Sequence, residues 1–111
     1  MTEAEFSIAR TTPRFSFVAE AEVKGLVDET CVVARISKLS SRGCYVDMVN
    51  PFPTGTELRL RIRYGCSTCE LPGKVIYTHS GNGMGVLFGE IAIEYRLTLD
   101  AWMDEFARKS H

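Results

Sequence analysis

A chain of 111 residues has room for one hydrophobic core and not for two. Thirteen basic residues against fourteen acidic ones leave a net charge of −1, so no global field draws in a nucleic-acid polymer or an anionic membrane, and an anionic ligand has to be met by a local cluster. No apolar run approaches the ~20 residues of a membrane span. The N-terminus, MTEAEFSIAR, opens with two glutamates and lacks the basic and apolar regions of a secretion signal. The expectation is a cytoplasmic protein with no membrane partner. On that reading the four cysteines, Cys31, Cys44, Cys66 and Cys69, are reduced thiols. Cys31 and Cys44 lie in apolar stretches and are expected to act as small buried hydrophobes.

The first nine residues are expected to be mobile, with Phe6 and Ile8 the only reason for them to dock. From Phe15 the pattern alternates with period two. Phe15, Phe17, Ala19, Ala21 and Val23 fall on one side and Glu20, Glu22 and Lys24 on the other, which predicts a strand with one wet face. Residues 25–29 turn, and 31–37 (CVVARIS) give a second strand with less regular alternation. Ser40, Ser41 and Gly43 mark a turn into a short third strand, GCYVDM. Two prolines and a glycine in residues 50–55 break the ladder. The clearest strand follows, with Leu58, Leu60, Ile62 and Tyr64 facing one way and Glu57, Arg59, Arg61 and Arg63 the other. Residues 65–68 are predicted to form a hairpin loop and 70–78 the returning strand. After Ser80-Gly81-Asn82-Gly83, whose glycines can take positive φ, residues 84–88 form a sixth strand with Met84, Val86 and Phe88 on one side.

Beyond Gly89 the period lengthens. Tyr95, Leu99, Trp102 and Phe106 stand at i, i+4, i+7 and i+11, flanked by Leu97 and Met103, and predict an amphipathic helix whose C-terminal Arg108 and Lys109 suit its dipole. Six short strands and a final helix point to a small antiparallel barrel, with the helix on its open end or flank.

Conventional catalysis has little to use. The only histidines are His79 and His111, and no HExxH, GxSxG or phosphate-loop pattern occurs, so the expectation is a binding module and not an enzyme. Cys66-Ser-Thr-Cys69 can be read as a structural loop, a redox pair or half a metal site. The second ligand pair that zinc requires is missing, so no metal is expected. The Arg59, Arg61, Arg63 row can be a solvated face, a protein contact or a nucleic-acid groove, but no aromatics stand between the arginines for bases to stack on. A further cluster leads into the first strand: Arg10 and Arg14, four apart, with Pro13 holding the segment out of helix. Guanidinium forks grip phosphates bidentately, stack on purines and donate to guanine O6 and N7.

With these two arginines the chain resembles the PilZ family, the receptor domains for the bacterial second messenger cyclic di-GMP. Its signature is RxxxR before the first strand and (D/N)xSxxG between the second and third. Arg10 and Arg14 match the first element, and Ser40 and Gly43 match the second. Met84 to Phe88 (MGVLF) resembles the family's sixth strand, and a C-terminal helix is also usual. The resemblance, over residues 10–107, implies an all-β-dominated six-stranded antiparallel barrel over residues 15–111, preceded by an arm (residues 1–14) that carries RxxxR. It implies that Arg10 and Arg14 clamp the ligand's phosphates and guanines, that Ser40 hydrogen-bonds the ligand, and that Gly43 keeps the turn tight enough for a base to approach. Lys38 departs from the pattern. It replaces an acceptor for guanine's Watson–Crick edge by a pure donor, and unpaired donors cost ~1–3 kcal/mol, although a lysine can reach a phosphate instead. Two functions follow from the resemblance: a standalone cyclic di-GMP effector whose arm orders on binding, or an adaptor that has lost the ligand and acts through a protein partner, by the arginine face or the final helix. Neither reading calls for a cofactor.

Overall fold

The computed structural model describes residues 15–27 and 29–109, with side chains from Ala19 to Arg108 apart from that of Asp28. Arg10, Arg14 and the expected arm lie outside the described residues. The period-two segments form six strands: β1 (Phe15–Gly25), β2 (Cys31–Leu39), β3 (Gly43–Asp47), β4 (Glu57–Tyr64), β5 (Ser67–His79) and β6 (Gly83–Phe88). They close into an antiparallel barrel in the order β1-β2-β3-β6-β5-β4. The helix α1 (Ile93–Lys109) follows. This is the architecture expected, and closure removes the sheet edges that an open sheet would leave unpaired.

The inward positions fill the barrel. Ala21, Val23, Ile36, Leu39, Val46, Leu58, Leu60, Ile62, Leu71, Val75, Met84 and Val86 are buried. On β1 the small Ala21 pairs with the bulky Ile62 of β4, and Ala19 with Ile36 of β2, which is how a narrow barrel accommodates its contents. The irregular alternation in β2 has a local cause. The pairing with β3 slips between Ile36 and Lys38, so Ile36 and Leu39 both point inward while Ser37 and Lys38 share the outside.

Three expectations need correction. Cys31 opens β2 and is exposed, because at a strand start it stands on the outer face; Cys44 alone of that pair is buried. The β4–β5 connection is a two-residue turn at Gly65 and Cys66 and not a four-residue loop. Gly65 takes φ 61° there, which few side chains tolerate, and Cys69 already lies inside β5, pointing into the core. In the β5–β6 turn only Gly81 has positive φ (84°), while Gly83 belongs to β6.

The helix packs Leu99 and Trp102 onto the barrel, with Tyr95, Met103 and Phe106 half-buried beside them. Leu97, expected in that stripe, is 63% exposed and lines an open cleft between α1 and the β4–β5 turn. Tyr64 at the end of β4 receives the helix edge-on, its ring 5.7 Å from Trp102 and 5.3 Å from Phe106.

Candidate functional site

The turn from β2 to β3 is held almost entirely by Ser40. Its backbone N–H donates to Gly43 O at 2.9 Å, and its hydroxyl donates to the same carbonyl at 3.2 Å. The Arg42 and Gly43 amides donate to Ser40 Oγ at 3.2 and 3.1 Å. The hydroxyl's donor and both acceptor sites are thus engaged within the turn, which explains how a serine can be buried here at 5% exposure. Gly43 has no room for a side chain: a Cβ there would stand 2.3 Å from Val86 O of β6. The turn is fixed from outside as well. Phe88 N–H donates to Arg42 O at 2.8 Å, and the Arg96 guanidinium of α1 donates to Ser41 O at 3.2 Å.

Lys38 is exposed on the outer face just before this turn. It pairs with Ser16 on one side and Tyr45 on the other, and the row continues through Gly85 to Tyr77. Phe15 pairs with Leu39, so the chain enters the barrel alongside the segment that carries Lys38, Ser40 and Gly43. Of the five residues singled out from the sequence, Lys38, Ser40 and Gly43 are thereby gathered at one place on the outer wall; Arg10 and Arg14 lie outside the described residues.

Sequence reasoning passed over a cluster on the same wall. Tyr45, Tyr77 and His79 are half-buried, with ring centroids 6.3 Å (Tyr45–Tyr77), 5.9 Å (Tyr45–His79) and 5.2 Å (Tyr77–His79) apart. Tyr45 OH and His79 Nδ1 share a hydrogen bond of 3.1 Å. Partial burial, with Tyr77 and Asp47 nearby, pushes the Tyr45 phenol above its ordinary pKa, so it stays neutral. The signal was present in the glycines alternating with inward Met84 and Val86: β6 has no side chain at Gly83 or Gly85, and the two tyrosine rings lie over the bare backbone.

The arginine row of β4 is exposed, and two of its three members, Arg61 and Arg63, are matched by acids. Arg63 pairs with Glu20, and with Glu22 at 3.9 Å, and Arg61 approaches Glu70 at 3.6 Å. Exposed pairs of this kind contribute at most about 1 kcal/mol each, but they largely cancel the stripe's field, as on a solvated face.

The CxxC pair is split by the barrel wall. Cys66 is exposed in the turn, whereas Cys69 is buried and donates its thiol to Tyr95 O at 3.3 Å. Burial pushes the Cys69 pKa up to about 11, so hardly any thiolate forms at neutral pH. Among the described residues no group of three or more His, Cys, Asp or Glu side chains is placed to hold a metal ion. Cys66→Ser is expected to change stability by less than about 0.5 kcal/mol. Cys69→Ser should cost about 1 kcal/mol while keeping the donor to Tyr95 O. Urea denaturation of both variants, with metal analysis of the natural protein, checks this; stoichiometric zinc lost in either variant would contradict it.

Taken together, the closed six-stranded antiparallel barrel, the serine-held β2–β3 turn and the C-terminal helix define a small β-barrel with its candidate site on the outer wall. The fold is that of a PilZ domain. It superposes on the PilZ domain of YcgR from Escherichia coli, solved with c-di-GMP, with a TM-score of 0.74 at 13% identity, over 92% of this chain and 94% of that one. The Bacillus subtilis inhibitor of motility (MotI/DgrA) gives 0.72 at 19% identity over 91% of this chain, which spans only 51% of that protein. The PilZ domain of CeSA from a cellulose-synthesizing bacterium gives 0.66 at 18% identity, over 88% and 98%. No protein-family model and no curated protein sequence matches the chain. Among the described residues no helix is long and apolar enough to cross a membrane.

Proposed function

We propose that this chain is a cyclic di-GMP-binding module that signals by closing its N-terminal arm over the ligand. The observation that carries the reading is the pairing of Phe15 with Leu39. Phe15 follows Arg14 in sequence and Leu39 precedes Ser40, so the first described residue of β1 lies beside the segment that leads into the Ser40 turn. In this reading Arg10 and Arg14 clamp the phosphates and guanines, and Ser40 and Gly43 shape the turn against which the ligand lies. The c-di-GMP in the YcgR domain, on the same fold, adds support. Ordering of the arm changes the surface offered to a protein partner.

Calorimetric titration with cyclic di-GMP is the test. The natural protein is expected to bind below about 100 μM, stronger than about −5.5 kcal/mol. Arg14→Ala should abolish binding without altering the melting temperature. Unchanged binding in Arg14→Ala would place the ligand elsewhere.

A second reading, an adaptor without ligand, is favoured by Lys38 in the acceptor position and by the helix. An open cleft of about 740 Å³ runs between the β4–β5 turn and α1, lined by Tyr64, Cys66, Leu97 and Trp102 among others. Exposed Leu97 and Ile93 on α1 would suit a protein contact. No binding in either protein supports this reading.

A further inference from the structure

We infer that the groove between α1 and the β4–β5 turn is a docking site for a basic amphipathic helix of a partner protein. This rests on the proposed function only in that the chain signals through a protein partner; it asks nothing of the nucleotide.

A helix packed on a barrel is expected to bury one stripe and turn a polar face to water. α1 buries Leu99 and Trp102, yet its outer side is not uniformly polar. Ile93, Leu97 and Ala101 stand at i, i+4 and i+8 and form one exposed ridge, with Ile93 at 69% and Leu97 at 63%. The ridge runs about 12 Å, so two successive turns of a facing helix can seat on it. Leu97 and Ala101 line the groove on the helix side, and Gly65 and Cys66 line it on the side of the turn. Ala101 and Gly65 are small and leave room for a second backbone to approach. An apolar groove beside anchors at helical spacing is the arrangement that receives an amphipathic helix.

Charge selects the occupant. Residues 90–109 hold five acidic and three basic residues. Asp100 lies on one side of the ridge and Glu94 on the other, while Asp104 continues its line. Arg96 reaches Asp100 at 3.8 Å and Arg108 reaches Asp104 at 3.3 Å, but these are exposed pairs that water screens. Glu90 and Glu94 form no ion pair among the described residues, and the helix's own positive end offsets only part of their charge. A helix with lysine or arginine beside its apolar stripe is therefore complementary. Other occupants match less well. A second copy would set this acidic ridge against itself. The chain's own first residues bring Glu3 and Glu5 along with Phe6 and Ile8. An anionic bilayer would be repelled.

The probe is a synthetic peptide of about fifteen residues, with leucines along one helical stripe and lysines beside it. Its controls are a glutamate-flanked analogue and a scrambled peptide of the same composition. In amide NMR the lysine peptide is expected to shift Cys66, Leu97 and Ala101 together, and the controls to shift none of them. Leu97→Ser, at an exposed position, should keep the melting temperature and bind the peptide about tenfold to a hundredfold more weakly. Asp100→Asn combined with Asp104→Asn should weaken binding and flatten its dependence on salt. A maleimide on the lysine peptide should favour Cys66 over Cys31, both exposed, more than free maleimide does. Full affinity in Leu97→Ser, or equal binding of the scrambled peptide, would overturn the docking site. A dimer of the natural protein that Leu97→Ser disperses would give the groove to a second copy instead. Shifts at Leu97 and Ala101 in unliganded Phe6→Ala would give it to the chain's own N-terminus, and either result overturns the partner helix. Leu97→Ser is expected to bind cyclic di-GMP as the natural protein does. Failure of the peptide alone overturns the docking site and leaves the proposed function standing; failure of cyclic di-GMP alone does the reverse.

Discussion

Replacing Trp102 by alanine is expected to destabilise the protein by about 3–5 kcal/mol. The indole is 4% exposed and packs edge-on against Tyr64, which in turn receives Phe106, so its removal empties the seam between helix and barrel. The neighbouring ties are too weak to hold α1 in place alone. The Arg96 contact to Ser41 O and the Cys69 thiol to Tyr95 O are single hydrogen bonds, each contributing of the order of 1 kcal/mol. For a domain of this size, the loss corresponds to a melting temperature lower by roughly 13–21 °C. Urea or thermal denaturation followed by circular dichroism measures it. A loss below about 1 kcal/mol would mean that α1 is not an integral part of the core.

Gly43→Ala is expected to cost about 3 kcal/mol, at the upper end of what an added methyl group exacts in a packed site. The added carbon would stand 2.3 Å from Val86 O, a backbone atom of the strand paired with β3, and backbone cannot step aside as a side-chain tip can. The shift would be passed to the Ser40 hydrogen bonds and to the Phe88–Arg42 bond at the same turn. Denaturation midpoints without ligand separate two reasons for a glycine at this place. A large loss assigns it to strand packing. Stability within about 0.5 kcal/mol of the natural protein, with nucleotide binding lost, would assign it to the ligand's approach instead.

Much of the architecture was legible because each face of the wall repeats every two residues. β4 shows this best: Leu58, Leu60 and Ile62 are fully buried while Arg59, Arg61 and Arg63 are exposed, as their alternation requires. The change to a helical period after Gly89 was equally plain, since Leu99 and Trp102 must share a face. The turn carrying Ser40 and Gly43 was legible as a motif, but not the reason for its residues. The Ser40 hydroxyl is used up by partners within three residues inside the turn, whereas Gly43 is demanded by Val86 O, a carbonyl more than forty residues away.

By itself, the sequence determined strand number, inward faces and the final helix, because these follow from local periodicity. Tertiary structure decided what periodicity cannot encode. The slip at Ser37 that turns Lys38 outward, the burial of Cys69 and exposure of Cys66, and the exposure of Leu97 each depend on which element lies alongside. The same holds for the tyrosine wall. Tyr45 and Tyr77 are thirty-two residues apart and lie on strands separated by a third. Only closure of the barrel, with β6 between them and bare at Gly83 and Gly85, brings their rings together, because contacts across a sheet are set by register between strands and not by distance along the chain.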